Sequence, residues 1–131
     1  MPSRHAELQA KRLKHAAEVV LVTSLVVLGW THGFVYVEGA SMEPALTPGD
    51  IAVYRRDVSE VVRGELVLFE HDGTLVLHRV AGVLNDGSLR TRGDANENLD
   101  AVPVADHKVR GRVVIVFPTG QGVRRLAALL H

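Results

Sequence analysis

The sequence predicts a mainly β protein: a single small, coiled, antiparallel β-sheet domain behind one N-terminal transmembrane helix. Three observations predict it. Residues 19–37, "VVLVTSLVVLGWTHGFVYV", hold one histidine and no acid. Short apolar runs separated by turn signals follow, with no helical pattern between them that would carry the chain across to a parallel neighbour. Hydrophobic residues make up 47% of the chain and aromatics only 5%, so the core is built from Val, Leu and Ala, and valine-rich runs favour strands.

Residues 1–15 read as a basic, helix-prone cytoplasmic segment: Arg4, Lys11, Arg12 and Lys14 face only Glu7 there. Residues 16–36 read as the transmembrane anchor, close to the ~20 residues that span a bilayer. Glu18 sits at its cytoplasmic edge, within reach of water. Trp30 and Tyr36 lie near its far end, where amphipathic rings favour the interface. The next basic residue is Arg55, after Glu38, Glu43 and Asp50. The positive-inside rule therefore places the N-terminus in the cytoplasm and the rest outside, a single-pass arrangement in the cell membrane. A cleaved signal peptide shares the basic and apolar regions but needs a small-x-small site, and "GWTHGFVYVEG" offers none that is convincing. A buried core segment is the third reading of the stretch.

Residues 37–118 read as an extracytoplasmic β-rich domain. "FVYVEG" is extended and enters a loop holding Ser41. Pro48-Gly49 marks a turn, and "DIAVYRR" alternates after it. "GELVLFE", His71-Asp72-Gly73 and "TLVLHRVAGVL" read as a hairpin. Asn85-Asp86-Gly87 turns the chain into "SLRTRG", "GDANENLDAVPV" is a polar loop, and "KVRGRVVIVFP" is a last strand ended by Pro118. Residues 119–131 read as a short amphipathic helix, too short to span again.

Composition excludes several functions. Fifteen basic and fifteen acidic residues give no net charge, which argues against a nucleic-acid partner. The absence of cysteine excludes disulfides, zinc-thiolate sites and a cysteine nucleophile. Asp94, Asn96, Asn98 and Asp100 alternate as the first ligands of a calcium loop would. The sixth position, though, is Leu99 instead of glycine, and the twelfth is Ala105 instead of glutamate. With no H-E-x-x-H either, no metal and no cofactor are expected.

Chemistry centres on "GASMEPALTPGD", residues 39–50. Ser41 lacks the glycine spacing of an esterase nucleophile elbow. A serine hydroxyl is a weak nucleophile and needs a base. Beyond the anchor the candidates are Lys108 and His71, His78, His107 and His131. His71 falls in a turn, His107 in a polar loop and His131 at the terminus. His78 shares a strand face with Val76 and Val80, where an imidazole can take a proton near neutral pH. Such a base is oriented by a carboxylate, and Asp94 and Asp100 are the nearest unexplained acids. Singly, each residue has an ordinary structural reading as a turn serine, a packed histidine or a turn aspartate. Spacing alone does not assemble them.

The blocks "GASMEPALTPGDIAVY", "LHRV", "RTRGDANENLDAVPV" and "VRGRVV", in this order, resemble type I signal peptidases over about residues 19–117. The serine block also resembles self-cleaving repressors that use a Ser–Lys dyad and lack an anchor. Most bacterial signal peptidases use a lysine base just before an arginine, and here that place holds His78, before Arg79. This resembles the endoplasmic-reticulum and archaeal branch, with some Gram-positive members, in which serine, histidine and aspartate act together.

The resemblance implies a signal-peptidase-like fold and a membrane serine endopeptidase that cleaves exported preproteins. It implies Ser41 as nucleophile, His78 as base and Asp100 as the orienting acid, with Asp94 and Arg79 in support. It implies that the Ser41 N–H serves the oxyanion and that Met42 lines the substrate pocket. Many family members carry a hydroxyl two residues before the nucleophile, and here that position is Gly39. The partners implied are signal peptides and the lipid bilayer; accessory subunits stay open. Two other readings stand beside this one: a Ser–Lys pair using Lys108, and a non-catalytic anchored domain that binds peptides or scaffolds a partner.

Overall fold

The computed structural model describes residues 3–121. The helix expected over 119–131 lies, from residue 122 on, outside the described residues. The chain divides into two compact units at Thr31/His32.

The first unit is α1, Arg4–Thr31. It begins well before residue 16, because the Ala, Glu, Gln, Lys, Arg and Leu of the basic segment are strong helix formers. Glu7 in its first turn complements the positive end of the helix dipole. By length and composition α1 is able to cross a membrane. None of its residues is buried. Ser24 and Thr31 donate their hydroxyls to the carbonyls of Val20 and Val27, each at 2.8 Å, so both hydroxyls are satisfied within the helix.

The helix ends five residues before the expected boundary at 36. His32–Tyr36 is instead strand β1, paired antiparallel with β2, Ile51–Arg55. Thr31, His32 and Gly33 interrupt the apolar run at this junction, and "FVYV" after them is β-branched and aromatic, with a ladder partner available. Gly33 contributes a packing reason: a Cβ there would lie 2.4 Å from the ring of Tyr54, its cross-strand partner. Gly111 meets the same ring at 2.3 Å, so Tyr54 lies across two glycines.

The remaining strands are β3, Leu66–His71; β4, Thr74–Val83; β5, Leu89–Arg92; and β6, Val109–Phe117, preceded by the 3-10 turn Asp106–Lys108. They form one six-stranded sheet in the order β1-β2-β6-β3-β4-β5, and every pairing is antiparallel. The last of the described strands thus lies in the middle of the sheet. Asp72 and Gly73, at φ 48° and 75°, make the two-residue turn between β3 and β4, as the Asp-Gly pair predicts.

Two apolar clusters hold the sheet. Val67, Phe69, Val80, Leu89, Val104 and Val109 form one. Val37, Met42, Leu46 and Ala52, with Val35, Leu66 and Leu77 packed against them, form the other. β3 sends alternate residues to each cluster, which is why "LVLF" is apolar throughout. The sheet is coiled: the end of β1 and the start of β4 line one cavity, although β2, β6 and β3 lie between them.

Candidate active site

Ser41 sits on the loop between β1 and β2. Met42 and Leu46 anchor that loop in the core at 2% and 0% exposure. Asp50 pins its far end. The buried carboxylate accepts from the N–H of Thr47 at 2.8 Å and of Gly120 at 2.9 Å, and Thr119 donates its hydroxyl to the carbonyl of Gly49 at 2.6 Å. The Glu43–Pro44 peptide bond is cis.

His78 points from β4 on the same phase as Val80 and is 8% exposed. Its ring stands edge-on to Phe69, centroid to centroid 6.1 Å. Nε2 lies 3.1 Å from Ser41 Oγ, and Nδ1 lies 2.7 Å from Asp100 Oδ2. A carboxylate only accepts, so Nδ1 carries the ring proton and Nε2 is free to accept from the serine hydroxyl. The structure thus brings Ser41, His78 and Asp100 together across 37 and 22 residues of sequence. This arrangement is able to deprotonate a serine as it attacks and to hold the resulting imidazolium beside a carboxylate.

Asp94 stands apart from that chain of bonds. Its carboxylate takes a two-pronged contact from Arg79, Nε to Oδ1 at 2.8 Å and Nη2 to Oδ2 at 2.7 Å. Arg79 Nη1 also donates to the carbonyl of Gly64 at 2.8 Å. The Arg79 hydrogen bonds hold the Asp94 carboxyl below the usual range, against a smaller upward push from burial. The ion pair fixes the polar loop, and the next residue reaches the serine: Ala95 N–H donates to the carbonyl of Ser41 at 2.8 Å.

Two residues escaped the sequence reading. A Cβ on Gly93 would lie 2.5 Å from the Ser41 carbonyl oxygen and 3.1 Å from His78 Nε2. Only glycine lets the polar loop pass so close to both. Thr91 is 1% exposed and donates its hydroxyl to Asp100 Oδ2 at 2.6 Å. A signal for it existed: β5 alternates Leu89 and Thr91 inward with Arg90 and Arg92 outward, which puts a hydroxyl on the buried phase.

The other candidates fall elsewhere. Lys108 ends the 3-10 turn beside Glu70. The Glu70 carboxyl is held low first by its hydrogen bond from Arg110, with Lys108 adding a smaller share. Among the described residues, the hydrogen-bond partner of Ser41 Oγ is His78. His71 pairs with Asp72 in the β3–β4 turn. Gly39 has open space around it: nothing lies within 4 Å of where a Cβ would sit. Among the described residues no group of three or more His, Cys, Asp or Glu is arranged to hold a metal.

A cavity of about 270 Å³ adjoins Ser41. Val35, Val37 and Gly39 form one wall, Leu75 and Leu77 of β4 the other, with Met42 and Leu68 also lining it. Among the described residues, both walls carry backbone edges with no strand paired to them. β1 is an edge strand, and β5 pairs with β4 only from Arg79 onward.

The family model described as Peptidase S24-like matches residues 10–114. The signal peptidase I W of Bacillus subtilis (strain 168) is 33% identical over 82 residues, covering 58% of this chain and 43% of that protein. The chain therefore spans less than half the length of that relative.

Proposed function

Because the chain belongs to the peptidase S24-like family and is related to type I signal peptidases, we propose that it is a membrane-anchored signal peptidase working through Ser41, His78 and Asp100. The observation that carries the mechanism is Ser41 Oγ at 3.1 Å from an imidazole whose other nitrogen meets Asp100 at 2.7 Å.

The substrate is an exported preprotein whose extended segment before the scissile bond lies in the cavity between β1 and β4. Unpaired strand edges supply main-chain hydrogen bonds, and the small cavity selects alanine-like side chains. Ser41 Oγ attacks the scissile carbonyl as its proton passes to His78 Nε2. Asp100 steadies the imidazolium through Nδ1–H, and the Ser41 N–H donates to the oxyanion. His78 then gives the proton to the leaving amine, the C–N bond breaks, and the signal peptide remains as an ester on Ser41. Water, deprotonated by His78, hydrolyses the ester and restores the serine. Arg79 and Asp94 hold the polar loop against the Ser41 carbonyl and make no bond to the reacting atoms.

α1 acts as the anchor, with the N-terminus cytoplasmic. No residue separates α1 from β1 in the chain, so the first strand starts close to the membrane surface. Its outward face is apolar: Phe34, Val53 and Ile115 align across β1, β2 and β6, as do Tyr36, Ile51 and Phe117. Phe34 is 81% exposed and Tyr36 58%, and this face meets the bilayer interface.

Purified protein in detergent is expected to cleave a preprotein at its signal junction, with the products identified by mass spectrometry. Ser41→Ala and His78→Ala are expected to lose about 10³-fold or more of kcat, and Asp100→Asn a comparable factor. Full activity in Ser41→Ala ends the proposal. Lys108→Ala is expected to keep wild-type activity; its loss, with His78→Ala active, would install the Ser–Lys reading instead. The scaffold reading needs Ser41 and His78 far apart, and their hydrogen-bond separation speaks against it.

A further inference from the structure

We propose that Thr91 is a positioning residue for the hydrolytic site, holding Asp100 in register with His78; this rests on the function proposed above. The three residues of the site differ in what supports them. His78 stands on β4 within the sheet. Ser41 is pinned by its buried neighbour Met42 and by the bond from Ala95 to its carbonyl. Asp100 lies on the long polar loop after β5, without a buried neighbour to pin it: Leu99 beside it is 45% exposed and Ala101 is exposed too.

Thr91 connects that loop to the sheet at two atoms. Its hydroxyl donates to Asp100 Oδ2 at 2.6 Å, and its carbonyl accepts from the Asp100 N–H at 2.9 Å. On the other side, Thr91 pairs in register with Val80 of β4, two residues beyond His78. The acid and the base are thereby referred to one rigid ladder. The oxygen that takes the threonine hydroxyl is also the one that takes His78 Nδ1–H.

Burial argues that the hydroxyl matters in itself. Thr91 occupies the inward phase of β5, where its neighbour two residues earlier is Leu89. Valine would fill the same volume without a polar atom to satisfy. The buried hydroxyl has Asp100 as its described side-chain partner. Removing it leaves the backbone bond intact but frees the carboxylate to rotate about its own side-chain torsions.

The test compares Thr91→Val, which keeps the shape, with Thr91→Ser, which keeps the hydroxyl, both in the full chain in detergent. Thr91→Val is expected to lower kcat by about 10-fold or more, the scale of one hydrogen bond to a charged group, and to leave KM within about 2-fold. Thr91→Ser is expected to recover most of the loss. A second readout needs no turnover. The low-field Nδ1–H proton resonance of His78, measured in a Ser41→Ala background, is expected to shift and exchange faster in Thr91→Val and to persist in Thr91→Ser. The proposal is overturned if Thr91→Val keeps wild-type kcat and an unmoved resonance, or if Thr91→Ser behaves as Thr91→Val does, which would make the role one of packing. Cleavage surviving in Ser41→Ala alone would sink the proposed function, while the resonance would still decide the role of Thr91.

Discussion

Gly93 shows how one missing side chain shapes the site. Its absent Cβ makes room for the Ser41 carbonyl and for His78 Nε2. Gly93→Ala is expected to lower kcat by about 10²-fold, because a displacement near 1 Å at the reacting atoms has that effect. Steady-state kinetics beside a melting curve checks it, since the melting temperature should fall much less than the rate. Gly39 predicts the opposite sense. A side chain fits there freely, so Gly39→Ser is expected to fold normally. If its hydroxyl reaches the oxyanion, kcat rises by up to about 10-fold, less than the full 10²–10³ that a preorganised donor supplies. The Arg79–Asp94 pair predicts a pH effect. The Asp94 carboxyl is held below its ordinary range in the folded state, so its contribution is complete above the usual carboxylate range, near pH ~4, and is lost as pH falls through the lowered value. Asp94→Asn is expected to flatten the acid side of a plot of melting temperature against pH. Of these residues, Ser41, His78, Asp100, Asp94 and Arg79 were legible because each carries a chemical group inside a recognisable block. Gly93 was not legible, because its role is to leave space, and space is visible only once the chain is folded.

At the scale of elements, the hairpin between β3 and β4 was legible because Asp-Gly suits a turn with two positive φ angles. The end of α1 was not. Apolar residues resume in the strand after the short break Thr31-His32-Gly33, and the pairing of β1 with β2 and the seat for the Tyr54 ring set the boundary there. The cavity was likewise hidden, because it arises from the coil of the sheet that brings β1 to β4. Its walls predict specificity. Leu77→Ala enlarges the cavity from the β4 side and is expected to admit larger aliphatic residues at the position before the scissile bond. Cleavage of a substrate series from alanine to leucine checks this; an unchanged preference would place the selecting pocket elsewhere. The substitution is expected to cost about 2–3 kcal/mol of stability, the range for truncating a packed leucine.

For the whole molecule, the proposed membrane attachment has two separable parts. The full chain is expected to stay with membranes through an alkaline wash. A chain lacking residues 1–31 is expected to leave that pellet yet still float with lipid vesicles through its exposed apolar face. Replacing Phe34 and Tyr36 with serine should reduce the flotation, and no reduction would assign the apolar face another role. The same topology bears on when the proposed activity is expected to arise. Among the described strands β6 is made last, yet it joins the pair β1-β2 to the trio β3-β4-β5. Ser41 belongs to the first group, and His78, Thr91 and the loop of Asp100 to the second. Until residues 109–117 emerge and insert, the two groups lack the strand that joins them and are linked instead by the bond from Ala95 to the Ser41 carbonyl and by Leu66 and Leu77 packed on the Met42 cluster. On the proposed function, the nascent chain is therefore expected to be inactive until β6 is in place. A chain stopped before Val109 is expected to be inert, and supplying β6 as a separate peptide should restore some cleavage if the two halves fold independently.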